Sequence, residues 1–126
     1  MPSGQPTVAP SVYVKEGIWS TVSIGAATDQ YYGAACSSLF NCVVVGTRLG
    51  GGVSAFTVNR GTTWTRTETS FRLTDVAVYT TGGGVVYYLA SSLSGVVRLS
   101  SNLGQTWSTI NVDFGYPLMG VCIGNN

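Results

Sequence analysis

The chain contains no histidine. That absence removes the usual general base of enzymes working near neutral pH, and the commonest metal ligand. It also leaves any serine or cysteine nucleophile without an imidazole partner. The 3 cysteines, with no histidine and no Cys-x-x-Cys pair, do not compose a zinc site. The glycine clusters lack the Gly-x-x-x-x-Gly-Lys-Ser/Thr ending of a phosphate-binding loop and no helical pattern follows them, so no cofactor is expected. Charge is scarce as well, at 9% of residues, against roughly 25% in an ordinary soluble domain. Lys15, Arg48, Arg60, Arg66, Arg72 and Arg98 are scattered and the net charge is +1. There is no basic patch to steer a polyanion, so nucleic acid is not an expected partner. No apolar run approaches the roughly 20 residues of a membrane-spanning helix, and no basic-then-apolar signal peptide opens the chain.

What is present points to β-structure. The length, 126 residues, suits one domain, and 44% hydrophobic residues is too many for a disordered composition. Glycine is abundant, together with Ser, Thr, Val and Tyr, the mixture of strands joined by tight turns. Strands are expected at 42–47 (CVVVGT), 53–58 (VSAFTV), 75–80 (DVAVYT), 85–90 (VVYYLA), 96–101 (VVRLSS) and 108–112 (STINV). Gly50-Gly51-Gly52, Gly82-Gly83-Gly84 and Gly95 punctuate them. No stretch holds a helical period, so the fold class is all-β. Residues 1–12 carry Pro2, Pro6 and Pro10 and form an extended arm, either a flexible leader or a segment lying on a neighbouring sheet edge. Residues 13–126 are the β domain. With so little charge, the surface either stays hydrated through Ser and Thr or is partly hidden in an assembly.

An internal repeat organises these strands. Asn59, Gly61, Thr63 and Trp64 recur 43 residues later as Asn102, Gly104, Thr106 and Trp107. Trp19 stands 45 residues before Trp64 and closes a degenerate earlier unit, so units end near Trp19, Trp64 and Trp107. After Trp107 the first strand of a further unit is expected, with Gly120-Val121-Cys122-Ile123 matching Gly33-Ala34-Ala35-Cys36. A period of about 40 to 45 residues with four short strands is the length of a propeller blade, and two to three blades are too few to close a ring of at least about four. The expected architecture is therefore an incomplete propeller of four-stranded antiparallel sheets.

TVNRGTTW (57–64) and SSNLGQTW (100–107) resemble the Asp-box, the bacterial neuraminidase repeat, with pattern Ser/Thr-x-Asp-x-Gly-x-Thr-Trp. Thr57, Gly61, Thr63 and Trp64 fit it, as do Ser100, Gly104, Thr106 and Trp107; Asn59 and Asn102 stand where the family has Asp. The resemblance implies a hairpin loop between the third and fourth strands of a blade. In it the Asn folds onto backbone N–H groups, the Gly turns left-handed and the Trp wedges beneath. It also implies a structural turn on a propeller periphery rather than a reactive site. The family includes sialidases, whose chemistry needs an arginine triad and a Tyr–Glu pair. Here the only glutamates are Glu16 and Glu68, and the arginines lie beside boxes (Arg60, Arg66) or on repeat strands (Arg98), so no catalytic residue is assigned.

Cys36 and Cys42 flank SSLFN at facing ends of two strands, where a disulfide is geometrically natural. Secreted Asp-box proteins look similar at this point. A bridge, worth about 2 kcal/mol by loop entropy, would place the chain in an oxidising compartment; two buried free thiols are the alternative. Cys122 is expected to be buried in the last strand rather than paired between molecules. The adjacent pairs Tyr31-Tyr32 and Tyr87-Tyr88 each put one ring inward and one outward, where the outward ring packs across strands or stacks on a ligand.

Because the blades cannot close alone, something must meet their edges. The chain is a piece of a longer propeller, closes a ring with its own copies, or stacks into an open filament. The expectation is a non-enzymatic, self-associating structural protein of the extracellular space, acting as a homo-oligomer or filament through blade edges. The alternative is a carbohydrate- or protein-binding propeller module of a larger protein, with a sialidase-like hydrolase fragment last.

Overall fold

In the computed structural model, residues 21–112 and 117–123 are described; the arm at 1–12 and Trp19 with its unit lie outside the described residues. The strands are β1 (Gln30–Cys36), β2 (Cys42–Arg48), β3 (Gly51–Thr57), β4 (Thr65–Thr69), β5 (Leu73–Thr80), β6 (Val86–Ser92), β7 (Val96–Ser100) and β8 (Ser108–Asn111). They form two antiparallel four-stranded sheets in sequence order, sheet A from β1–β4 and sheet B from β5–β8. The fold is all-β and does not close into a barrel. Among the described residues no helix is long and apolar enough to cross a membrane.

Two strands go beyond those expected from composition. β1 holds the weak strand formers Gly33, Ala34 and Ala35, and β4 alternates Thr with Arg66 and Glu68. Both are edge strands, built on the ladder of an apolar neighbour. Each box lies between the third and fourth strands of its sheet, so a sheet ends one strand after its Trp rather than at it.

The ladders show how the two sheets relate. Counted from the boxes, the rung Thr57–Cys42–Cys36 of sheet A is equivalent to Ser100–Tyr88–Val78 of sheet B. The next rung on that face is Ala55–Val44–Ala34 in A and Arg98–Ala90–Val76 in B. On the opposite face, Phe56–Val43–Ala35 matches Leu99–Leu89–Ala77. The core consists of Val43 and Val45 from A packed against Leu73, Val76, Tyr88 and Ala90 from B. Sheet A thus turns one face inward and sheet B the other, so the sheets stack front to back, like two cards facing the same way. Gly33 lets the strands meet closely: a Cβ there would lie 2.9 Å from the Asp75 Cα.

A bulge falls at the same place in both ladders, between Tyr31 and Gly33 and between Leu73 and Asp75. Residues 117–123 carry no strand. They are held instead at one end of sheet B, by Leu118 N–H to the Ser92 carbonyl (2.8 Å), Thr74 Oγ1 to the Leu118 carbonyl (2.6 Å) and Val121 N–H to Asp75 Oδ2 (3.3 Å). The expected buried strand at 120–123 is therefore corrected. With no ladder partner beside it, Cys122 is exposed and is a free thiol.

Candidate functional site

The two boxes fold alike, bond for bond. Thr57 Oγ1 accepts from the N–H of Gly61 (2.9 Å), and Asn59 Oδ1 accepts from the N–H of Thr63 (2.9 Å). Asn59 Nδ2 donates to Thr63 Oγ1 (2.7 Å), and Trp64 Nε1 donates to the Gly61 carbonyl (3.1 Å). In the second box Ser100 Oγ, Asn102 Oδ1, Asn102 Nδ2 and Trp107 Nε1 repeat these bonds to Gly104 (2.9 Å), Thr106 (2.9 and 2.7 Å) and the Gly104 carbonyl (3.2 Å). The side chains take over the hydrogen bonds that the reversing backbone gives up. Gly61 and Gly104 are left-handed, at φ 83° and 87°. So are Arg60 and Leu103, at φ 63° and 64°, which composition did not foretell. Leu103 and Trp107 pack against the core, while Asn59, Thr63, Asn102 and Thr106 are exposed at the turn. The box is a wedge with its polar groups already satisfied by one another.

Cys36 and Cys42 are opposite residues on the β1–β2 ladder and form a disulfide. The four tyrosines part company. Tyr88 is 0% exposed. Its hydroxyl lies between the sheets, accepting from the Ser37 N–H (3.2 Å) and within reach of Ser37 Oγ (3.1 Å) and the Asn41 carbonyl (3.2 Å). Tyr88 is thus the inward ring of its pair, on the rung that sheet A covers, and is closed to ligand stacking. Tyr87 is half-buried on the outer face of sheet B. Tyr31 is half-buried and its hydroxyl donates to Asp29 Oδ2 (3.4 Å). Tyr32 occupies the bulge and is 61% exposed.

The sheets also carry two arginine neighbourhoods that sequence reasoning left unconnected. On the outer face of sheet A, Arg66 grips Asp29 with two bonds, Nε to Oδ2 (2.5 Å) and Nη2 to Oδ1 (2.7 Å). Its Nη1 reaches Glu68 Oε2 (2.7 Å), which Arg48 also approaches (3.4 Å). The Asp29 side chain is only 2% exposed. The Arg66 guanidinium holds the Asp29 carboxyl below its ordinary value against the opposing effect of burial. Burial, reinforced by the Asp29 charge, pushes the Tyr31 hydroxyl up. Asp29 and Arg66 are 37 residues apart, and no motif links them.

Arg98 lies between the sheets, on the face of B that A covers. Its Nη1 donates to Thr69 Oγ1 (2.8 Å), its Nη2 donates to the Trp107 carbonyl (3.2 Å), and the guanidinium sits 5.2 Å from the centre of the Phe71 ring. Burial draws its pKa down. Arg60 stacks on Phe40 at 4.6 Å. The box-adjacent and repeat-strand arginines therefore occupy separate surroundings: Arg66 and Arg98 are on opposite faces of sheet A.

The Asp29–Arg66 pair gives a signed pH dependence. A carboxyl whose pKa is depressed by folding stabilises the native state above its unfolded pKa of about 3.9, and that stabilisation is lost as pH falls through the lower folded value. Urea unfolding of wild type and Asp29→Asn should therefore differ at pH 7 and converge as pH drops below about 4; a constant gap would contradict the pairing. No family model, curated protein or solved structure matches this chain.

Proposed function

We propose that this chain is a non-enzymatic structural β-repeat protein, its sheets stacked as propeller blades are, which self-associates by seating a sheet of a second copy on the outer face of sheet B. One observation carries this reading. The outer rung Leu99–Leu89–Ala77 is the ladder equivalent of Phe56–Val43–Ala35, the rung of sheet A that sheet B covers. Val97 and Ile110 extend this apolar outer face, and Ile110 is 45% exposed. The occupant complementary to such a face is a surface like the front of sheet B, and the chain's other example is the outer face of its own sheet A. There Val53 and Ala55 are already buried, so contact falls to the exposed Ala34, Cys36 and Glu68 around them. Like-to-unlike stacking is heterologous, so it builds a ring if the rotation closes and a filament if it does not.

The box resemblance and the blade-length repeat support the propeller-like reading. The low charge agrees with a surface meant to be covered, and the disulfide suits an extracellular setting. Light scattering on a sizing column tests the proposal. Wild type should run above the monomer mass, and Leu99→Lys, which places a charge at the centre of the half-exposed face, should return it to monomer with an unchanged circular dichroism spectrum. A monomeric wild type at about 100 µM would sink self-association in any mode.

Tyr32 favours a second reading, a glycan- or protein-binding module of a larger protein. It stands out at the bulge, beside a groove lined by Gln30, Thr47, Arg72 and Met119. Glycan-array binding that vanishes in Tyr32→Ala would support that reading over assembly.

A further inference from the structure

The cleft between the sheets near β4 and the second box encloses about 210 Å³, with Ser54, Thr67 and Thr69 on one wall and Arg98, Gln105 and Trp107 on the other. Two groups in it are unspent. Ser54 is 4% exposed, lines the cleft, and its hydroxyl has no hydrogen-bond partner among the described residues. Arg98 uses its Nη1 and Nη2 once each, its buried Nε has no partner, and no carboxylate pairs with it among the described residues. A guanidinium carries five N–H donors and a fixed positive charge, and Arg98 is half-buried, so a counter-charge beside it would offset the hydration it gives up.

The other sheet shows what is missing. Tyr31 and Leu73 sit just before the two equivalent bulges, opposite Gly46 and Ser92, so they are ladder equivalents. Two residues earlier stand Asp29 and Phe71. On sheet A the guanidinium of Arg66, whose rung partner is Ala55, is met by the Asp29 carboxylate. On sheet B the guanidinium of Arg98 occupies the equivalent rung, opposite Thr109, and the aromatic ring of Phe71 takes the place of the carboxylate. A ring face attracts the cation but supplies no negative charge. Glu68 lines the same cleft, yet it is already tied to Arg66 and Arg48.

We propose that this cleft is a binding site for a small monocarboxylate, which brings to Arg98, from the cleft side, the negative charge that Asp29 brings to Arg66. The planar carboxylate matches the guanidinium fork. The Ser54 hydroxyl supplies a further donor, and the Trp107 side chain closes the apolar side. One uncompensated positive charge suits a monoanion better than a phosphate dianion. The site is independent of self-association and stands or falls alone.

Indole N–H resonances of ¹⁵N-labelled full-length protein report binding, with the Trp107 signal identified by its loss in Trp107→Phe. Titration with sodium acetate should shift that signal saturably. Sodium chloride at matched ionic strength and acetamide, the neutral isostere, should not. Arg98→Met should abolish the response, and Ser54→Ala should weaken it at least threefold while keeping the rest of the spectrum. If Arg98→Met fails to fold, the acetate–acetamide contrast and Ser54→Ala decide. The proposal is overturned by no saturable shift, by an equal response to acetamide, by an unweakened response in Ser54→Ala, or by a response to inorganic phosphate as strong as that to acetate.

Discussion

Tyr88→Ala should lower stability by about 4 kcal/mol, in the range for deleting a large buried aromatic, whereas Tyr88→Phe should cost only about 1 to 2 kcal/mol for the lost hydroxyl bonds. The ring is the largest fully buried side chain among the described residues, and it belongs to the core cluster with Val43, Val45 and Val76. Alanine would leave that space empty across the joint between the sheets. Phenylalanine keeps the packing and leaves the Ser37 N–H bonded to the Asn41 carbonyl (2.9 Å), so it loses only the hydroxyl's own contacts to them at 3.2 Å. Urea midpoints followed by circular dichroism measure both. If the two substitutions cost the same, the hydroxyl rather than the ring holds the joint.

The second large effect is a contrast between two glycines at the same position of the same turn. Gly61→Ala should cost about 1 kcal/mol, the left-handed penalty alone, because a Cβ there would find only Trp64 ring atoms at 3.6 Å or more. Gly104→Ala should cost about 2 to 4 kcal/mol, adding an overpacking term of about 1 to 3 kcal/mol. Its Cβ would lie 2.7 Å from the Val43 Cγ2 and 3.2 Å from the Phe56 Cβ. The first box is free at this point, and the second is pressed into sheet A. Equal thermal shifts for the two variants would mean that Gly104 does not lie in the joint.

Much of the fold could be read before any coordinate. Val43-Val44-Val45 and Val86-Tyr87-Tyr88-Leu89 declare their strands through β-branched and aromatic side chains, and the boxes give the sheet spacing because each is a closed local set of bonds. The Cys36–Cys42 bridge was legible as a hairpin rung. What escaped depends on register. Alternation says that Tyr87 and Tyr88 face opposite ways but not which face is covered. That follows from the front-to-back stacking, a property of two sheets rather than one strand. Tyr32 breaks alternation because it is the bulged residue. Asp29 and Arg66 meet only once residues distant in sequence share a sheet face, and the lone charge of Arg98 becomes visible only beside that pair. Cys122 followed the repeat pattern in sequence, but with no ladder partner it stays exposed.

The disulfide has a reach beyond its own hairpin. The loop it closes, residues 37–41, contains both Ser37 and Asn41, whose backbone atoms receive the Tyr88 hydroxyl from the other sheet. On the equivalent rung of sheet B stand Val78 and Tyr88, where packing does what the covalent bond does in sheet A. A reductant acting on the exposed first hairpin would therefore be felt at the buried tyrosine of the second. With the bridge opened, the loop that meets the Tyr88 hydroxyl would be tied only by its strand ladder and the Ser37–Asn41 backbone bond.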